Sequence, residues 1–459
     1  MKDVPVVTNS HILFSLLAII SISMFGVYLD DNLSLMVLTL IYIILGIVIS
    51  YILNIRGDIK NSIYVFFLFF GIYLLYTTVV HFGLINFYDV TNISSDEIAT
   101  YAGSNDVYRK LEIGYDFSDI ANIREYKESP IVRYFNGYIA TIANYYGENS
   151  ILFQKVGVVL FASLIPMVMY GISRLYFSEK ISIRIAIIYG LFSFVPYLSS
   201  TLLRDIHVAL MYIITFYIVL QRLSIINLFT LIFVSIISYY LRVETGMFMI
   251  GFIVIYIFVF IENSIKNRYI RLFIYLSSIA IATIIIFNSP LMDSFEQILT
   301  SSNARSAESA SSGSMGAKIA KLPYGINIIT LLGFSQIQPF PPIWIFQEPN
   351  RGVFELVYLI AGISWFMGWG FLIYGVFAKK IFNKLELKLQ LMSILSILYL
   401  VLIAVIEFNQ RRQMAVYPML YMVMIFSYLD MSVTERTKIW VGMILFYITL
   451  VLVINFLKI

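Results

Sequence analysis

Arginine stands beside other polar residues at three points where long apolar runs of the sequence end. The three stretches are "LLRDIHVAL", with Arg204, Asp205 and His207; "LRVETG", with Arg242 and Glu244; and "QRRQMAVYP", with Arg411 and Arg412. Ionisable groups at membrane depth are costly and usually face a bundle interior or a wet cavity, which makes them candidates for function. The planar guanidinium group matches the geometry of phosphate oxygens. These stretches therefore indicate binding of a phosphate-like anion where helices end.

A simpler interpretation is that each arginine pairs with a nearby carboxylate and only fixes a helix end. The partners for such pairing would be Asp205, Glu244 and Glu407. On a helix, Arg204 and His207 would share a face, whereas Arg204 and Asp205 would not. Arg204 is therefore expected to be available to a ligand.

Group transfer to a hydroxyl would need a base as well as positive charge. The base takes the proton of the acceptor while cations stabilise the leaving group. The base candidates are Asp96 and Glu97 in "SSDEIATY", followed by Asp205, His207 and Glu244. A partly desolvated carboxylate can act as a base near neutral pH. The alternative for Asp96 and Glu97 is that acidic residues of a loop only contact water.

The elements that must position these residues are membrane helices. The chain has 459 residues, of which 60% are hydrophobic and 13% charged, and its mean hydropathy is +0.86. A helix needs roughly 20 apolar residues to cross a bilayer, and about thirteen such runs (eleven to fourteen) are present. They lie near 12–29, 33–55, 62–86, 151–173, 183–202, 205–221, 224–241, 247–262, 269–288, 352–378, 389–406, 413–429 and 438–457. The sequence predicts an all-α polytopic membrane protein, with 1–459 as a single integral membrane domain.

The topology follows from the short connections rich in Lys and Arg, which are cytoplasmic by the usual bias. Two long polar segments, 87–150 and 289–351, then lie on the opposite face together with all three arginine stretches. The first segment includes "VRYFNGYIATIANYYG", whose spacing predicts a helix along the membrane surface. The second includes the Ser-rich "SSNARSAESASSGSMGAKIAKLPYG", which is typical of a mobile loop. The first apolar run is expected to be a helix rather than a removable signal.

Several chemistries are excluded or disfavoured by composition. The chain has no cysteine, which excludes thiolate metal sites and disulfides. Its three histidines are scattered, and no glycine-rich nucleotide loop or HExxH motif is present. The sequence therefore indicates no required cofactor, no metal site and no nucleic-acid partner, although a divalent metal is compatible with the carboxylates.

The layout resembles that of the Wzy-type polysaccharide repeat-unit polymerases and, more broadly, of the polyprenyl-lipid-dependent glycosyltransferases of the GT-C kind. The shared features, from about 87 to 418, are many helices, two large outer loops, and the stretches "LLRDIHVAL", "LRVETG" and "QRRQMAVYP". Wzy proteins also carry Arg-x10-Gly motifs in their outer loops. Arg305 and Gly316 have that spacing in "RSAESASSGSMG".

The resemblance implies an enzyme that moves a growing glycan from undecaprenyl pyrophosphate onto a lipid-linked repeat unit. It implies a GT-C-like fold in the bacterial cytoplasmic membrane, an active site facing the periplasm or exterior, and a chain-length regulator and a flippase as partners. Pyrophosphate binding would fall to Arg204, Arg242, Arg305, Arg351, Arg411 and Arg412. By analogy with GT-C transferases, an early outer loop supplies the catalytic carboxylate, sometimes beside a divalent metal, which favours Asp96 or Glu97.

Tyrosines follow this acidic pair along the first outer segment. The apolar faces of sugar rings stack on aromatic rings. The tyrosines that could do this are Tyr101, Tyr108, Tyr115, Tyr134 and Tyr138. Tyr101 and Tyr108 are predicted to contact sugar, whereas Tyr134 and Tyr138 are better explained as anchors of the surface helix.

Three other functions fit parts of the pattern. A transferase that uses a polyprenyl-phosphate sugar, or a ligase that joins finished glycan to a lipid, would use the same arginines. A flippase of lipid-linked oligosaccharide belongs to a different class and would carry charge in the middle of helices that line a cavity. The sequence disfavours the flippase, because most helix centres are apolar and the charges gather at the outer ends of helices.

Overall fold

The computed structural model describes residues 7–53, 58–88, 95–123, 129–271, 277, 325–337, 349–406 and 410–457. Within these ranges every regular element is a helix. The chain divides into two compact units. Unit 1 comprises Met1–Tyr217 and Pro339–Trp365, and unit 2 comprises Ile218–Gln338 and Phe366–Ile459. The single membrane domain over 1–459 stays a prediction.

The helices that begin in unit 1 follow the apolar runs and the first outer segment. They are α1 (Asn9–Asp30), α2 (Ser34–Leu53), α3 (Ile59–Tyr88), α4 (Ser95–Glu112), α5 (Phe117–Asn122), α6 (Pro130–Tyr146), α7 (Ile151–Arg174), α8 (Glu179–Phe192), α9 (Val195–Ser199) and α10 (Asp205–Leu220).

The later helices begin in unit 2, except for one that crosses the unit boundary at Trp365. They are α11 (Ile225–Leu241), α12 (Val243–Ser264), α13 (Ile326–Gln336), α14 (Pro349–Phe377, the one that crosses), α15 (Leu387–Ile406), α16 (Gln410–Gln413), α17 (Tyr417–Asp430) and α18 (Val433–Leu457).

Seven of the described helices are long and apolar enough to cross a membrane. They lie at Asn9–Asp30, Ser34–Leu53, Ile59–Asn86, Ile151–Arg174, Val243–Ser264, Glu355–Phe377 and Val433–Val453. Shorter apolar helices occupy Asp205–Leu220, Ile225–Leu241 and Leu387–Ile403. The multi-pass character is therefore confirmed, whereas the count of thirteen and the GT-C fold stay predictions. Most of the run at 269–288 lies outside the described residues.

The apolar run at 183–202 forms two helices where the sequence predicted one. The α8 helix ends at Phe192, and the short α9 begins at Val195 with Pro196 in its first turn. Proline lacks a backbone N–H and is tolerated in a first turn but not in a helix interior, so it favours a new helix here. The consequence is a connecting segment, residues 193–205, between α8 and the start of α10.

The α7 helix is the centre of unit 1. It packs against α3, α8 and α2, and 94% of its most apolar window is buried. Next to it, α3 and α8 meet closely at Gly190, whose carbonyl oxygen accepts a hydrogen bond of 2.7 Å from the Tyr73 hydroxyl. Because α7 is almost completely surrounded by other helices, it can carry polar side chains on more than one face.

The first outer segment is helical and folded onto this core. The α4 and α6 helices pack together, and Val107 and Ile120 form a small buried cluster with Leu111 and Tyr134 beside them. The sequence correctly predicted a helix in "VRYFNGYIATIANYYG". One face of that helix, including Val132, is buried in the protein, because α6 packs against α2, α4, α5 and α7.

The α11 and α12 helices are separated by one residue. Arg242 has an extended backbone (φ −166°), its N–H donates to Ser238 at the end of α11, and its carbonyl accepts from Thr245 in α12. The two helices pack against each other. A Cβ at Gly246 would lie 2.5 Å from the Tyr239 Cβ, which shows how tightly the hairpin closes.

Replacing Gly190 with alanine should lower the thermal stability of the detergent-solubilised protein. The added Cβ would overlap the ring of Phe69, which is fully buried, and overpacking of a core costs about 1–3 kcal/mol. Gly442→Ala is the matched control, because a Cβ at this position in α18 meets no atom within 4 Å. An equal melting temperature for both variants, measured by differential scanning fluorimetry, would contradict the tight α3–α8 contact.

Candidate functional site

A fully buried ion pair joins the first outer segment to the core of unit 1. The Glu97 Oε2 atom in α4 lies 2.9 Å from the Lys155 Nζ atom in α7, and neither side chain is accessible to solvent. Removing charges from water costs several kcal/mol per ion, which the attraction within a pair offsets only with good geometry and further hydrogen bonds. Ionisable residues within membrane helices are rare and are candidates for function.

The connecting segment 193–205 supplies a further contact to the pair. The backbone N–H of Leu202 donates to Glu97 Oε2 at 3.3 Å. The segment is also held by α3, where the Thr77 hydroxyl donates to the Ser199 carbonyl oxygen at 3.2 Å and Tyr76 hydrogen-bonds to the side chain of Ser200. Glu97 is therefore fixed from two sides, by a lysine and by a backbone amide.

Arg204 lies two residues beyond this amide, so its Cα is within about 7 Å of the Cα of Leu202. It precedes α10, and its carbonyl oxygen accepts a hydrogen bond from the Val208 N–H. The expectation that Arg204 and His207 share a helix face is therefore not met, because the helix begins at Asp205. The guanidinium Nη1 lies 3.4 Å from the Ser129 hydroxyl at the start of α6.

Asp205 and His207 are both buried in the first turn of α10. The His207 ring packs against Phe161, with ring centroids 4.4 Å apart, and against Phe135 at 6.4 Å. Asp205 and the backbone of Leu203 lie within electrostatic range of the His207 ring. Arg204, Asp205 and His207 thus follow Leu202, the residue that contacts Glu97, within five positions of the chain. We call these four predicted residues, with Lys155, the unit 1 site, and a direct contact between Glu97 and the other three stays a prediction.

Several buried polar atoms of unit 1 lack a hydrogen-bond partner among the described residues, and three of the side chains concerned lie in the helices that surround the site or next to its residues in sequence. These three contribute the side-chain amides of Asn136 and Gln154 and Nδ1 of His81. Gln154 adjoins Lys155 in α7, and His81 in α3 lies within electrostatic range of Lys155. Buried polar groups are nearly always paired in native proteins, so unsatisfied ones call for an unseen ion, water or ligand.

The neighbouring acidic residues Asp96 and Glu97 of α4 lie in different environments. Asp96 is exposed, whereas Glu97 is completely buried. Adjacent residues on a helix point in different directions, so only one of the two can face the core. Of the two predicted base candidates, Glu97 is the one within the unit 1 site.

Unit 2 contains the other predicted residues that the structure describes. Arg242 is buried and lies 3.8 Å from the half-exposed Glu244, a distance that fits the pairing of helix ends. Arg411 and Arg412 belong to α16, where the Arg412 carbonyl accepts from the Tyr399 hydroxyl at 3.2 Å. Convergence of the three arginine stretches on one anion stays a prediction.

Three other residues give no structural outcome. Arg305 and Glu407 lie outside the described residues, and of Arg351 only the helical backbone is described. In the described part of the chain no three His, Asp or Glu side chains come together as a metal site. The expectations about metal and cofactor stay predictions.

The predicted sugar contacts lie along α4. The Tyr101 hydroxyl donates to the Asn149 carbonyl oxygen at 2.8 Å, and the Tyr108 hydroxyl donates to Glu112 at 2.6 Å. The bond to Glu112 raises the pKa of Tyr108 above its usual value.

The predicted anchors of the surface helix lie along α6. Tyr134 and Tyr138 bond to each other at 3.2 Å, and that bond is the main cause that raises the pKa of Tyr134 to about 12. Tyr134 also packs beside the buried cluster of Val107 and Ile120. This contact attaches α6 to α4 and α5 within the first outer segment.

Sequence reasoning missed Lys155, Gln154 and the environment of His81. Lys155 could have been selected from the sequence, because it lies inside the apolar run "ILFQKVGVVL". An ionisable residue within a membrane helix is a functional candidate. Lys155 lies one turn inside α7 and has no oppositely charged residue close to it in sequence. Its pairing with Glu97 is therefore not visible from the local pattern.

Comparison of the chain with models of known protein families, with curated proteins and with solved structures gave no match.

Removing one member of the Glu97–Lys155 pair should destabilise the protein by about 3–5 kcal/mol, because the other charge is left buried and unpaired. The single variants are Glu97→Gln, which keeps an oxygen for the Leu202 N–H, and Lys155→Met. The double variant carries no charge and should recover most of the parent stability. Thermal unfolding of all four proteins in detergent forms a double-mutant cycle that measures the coupling.

Additive losses in the double variant would show that the two charges do not interact. Lys384→Ala provides the surface control. Its ammonium group lies 2.8 Å from Asp430 with the side chain 54% exposed, and such pairs contribute only about 0–1 kcal/mol.

Proposed function

We propose that the protein is a membrane glycosyltransferase that polymerises lipid-linked glycan units at the unit 1 site. The buried Glu97–Lys155 pair carries this proposal, because its carboxylate accepts a hydrogen bond from the Leu202 N–H, on the segment that also holds Arg204. A protein that needed the pair only to attach α4 could do so at lower cost with apolar side chains.

The chemistry proposed is displacement at the anomeric carbon of the growing glycan. The hydroxyl oxygen of the incoming repeat unit forms a bond to that carbon, and the bond from the carbon to the phosphate oxygen breaks. Undecaprenyl pyrophosphate leaves with the electron pair, and Glu97 takes the hydroxyl proton. Arg204 stabilises the negative charge on the leaving group, as preorganised cations do in other group transfers. Lys155 positions Glu97 through their ion pair.

The unsatisfied polar atoms fit this proposal. Asn136, Gln154 and His81 offer donors and acceptors that the described protein leaves unpaired. Hydroxyl groups of sugars both donate and accept hydrogen bonds, so they can satisfy amide and imidazole groups alike. A site built to pair with such hydroxyls discriminates strongly against substrates that lack them, because its own polar groups would then stay unpaired.

The undecaprenyl-pyrophosphate-linked units accumulated by cells deprived of this protein are the substrate for the test. Purified protein incubated with them, without nucleotide sugar, should give a ladder of products on a gel. Arg204→Ala should slow ladder formation by about 10²–10³-fold, the usual effect of losing one group that stabilises a developing charge. The stable double variant Glu97→Gln/Lys155→Met should form no ladder.

Lys384→Ala should leave the ladder unchanged, which controls for loss of positive charge as such. Normal activity in the double variant would contradict the roles given to Glu97 and Lys155. Addition of one sugar, supplied only by a polyprenyl monophosphate, would make the protein a single-sugar transferase. Movement of lipid across vesicles without any product would make it a transporter.

A further inference from the structure

An open cleft lies between α4 and the end of α6. It is lined by two tyrosines, three asparagines, an arginine, a glutamate and a glycine, among them Tyr101, Tyr108, Asn105, Asn149 and Arg109. Its volume is about 330 Å³, within the range of small-molecule sites. We call it the α4–α6 cleft.

The walls of the cleft are held by hydrogen bonds within the protein. The Tyr101 hydroxyl donates to the Asn149 backbone oxygen, and the Asn149 side-chain amide donates to Asn105 Oδ1 at 2.7 Å. Asn32, just before α2, donates to the Glu148 carbonyl oxygen at 2.9 Å and so fixes the turn after α6. A ligand would therefore meet tyrosine rings that are already ordered, which reduces the entropy lost on binding.

The lining combines the groups that recognise a carbohydrate. Aromatic rings cover the apolar C–H faces of a sugar. Amides and charged groups pair with its hydroxyls. The amide nitrogen of Asn144 donates to the Ala140 carbonyl oxygen, while Arg109 and Glu148 are exposed at the rim.

We propose that the α4–α6 cleft binds the glycan portion of the lipid-linked substrate, an inference that rests on the proposed function. Glu97, Tyr101, Asn105 and Tyr108 follow one another at helical spacing and share one face of α4. With a rise of 1.5 Å per residue, Tyr101 lies about 6 Å and Tyr108 about 17 Å along the helix from Glu97. The cleft thus receives sugars a short distance away from the reacting bond.

Binding is measured with a probe that does not depend on the enzymatic reaction. Surface polysaccharide of the source cells, partially hydrolysed and labelled at its reducing ends, is titrated onto the full-length protein in nanodiscs. The parent should bind, and Tyr101→Ala and Tyr108→Ala should each weaken binding by about tenfold, the loss expected for a specific aromatic contact. Tyr101→Phe and Tyr108→Phe retain the ring but lose the hydroxyl bond that orders it, so they should bind more weakly than the parent and more strongly than the alanine variants.

Tyr145→Ala is the matched control, since this tyrosine of α6 is 81% exposed and does not line the cleft. No binding by the parent, or equal binding by the alanine variants of the cleft, would overturn the proposal. In the ladder assay the cleft variants should raise KM for the lipid-linked unit and leave kcat unchanged. Glycan binding without a ladder would reject the polymerase alone, and a ladder with unchanged KM would reject the cleft alone.

Discussion

The ion pair between Glu97 and Lys155 is the interaction on which unit 1 depends. It joins a helix of the first outer segment to the most deeply buried membrane helix, at a depth where neither charge meets water. The Leu202 amide on Glu97 extends this connection to the segment that begins α10. If α4 moved away, Lys155 would be left buried without its carboxylate partner. The position of the outer segment therefore determines whether the buried charge of Lys155 is compensated.

The same constraint explains why polar groups gather around the pair. Once a charged pair is buried, additional polar side chains near it lose less by desolvation than they would in an apolar region. Gln154 is the sequence neighbour of Lys155, and Asn136 is the sequence neighbour of Phe135, whose ring packs against His207. The side-chain amides of Gln154 and Asn136 have no hydrogen-bond partner among the described residues. A polar substrate that enters the outer end of the bundle would supply what they lack, and the ordered tyrosines of α4 would direct it there.

Much of the fold could be predicted from the apolar runs, because their length and the Lys and Arg bias reflect the bilayer directly. The helix in 130–146 was predictable from its amphipathic spacing. The contact between α4 and α7 was not, since it depends on a long-range pair between positions 97 and 155. Arg204 and His207 were selected as polar residues beside an apolar run, and Glu97 as an acidic residue of an outer loop, whereas the local view could not show that Asp96 is exposed or that Arg204 lies before its helix.

The single-residue connection at Arg242 bears on how the chain enters the membrane during synthesis. A helix that enters the membrane by itself is followed by a loop, which either crosses the membrane or stays on the side of synthesis. There is no such loop between α11 and α12, because Arg242 alone ends the first helix and precedes the second. We therefore expect the two to be inserted together as a hairpin. Such a hairpin carries the guanidinium of Arg242 at its tip, where the nearby Glu244 offsets its charge.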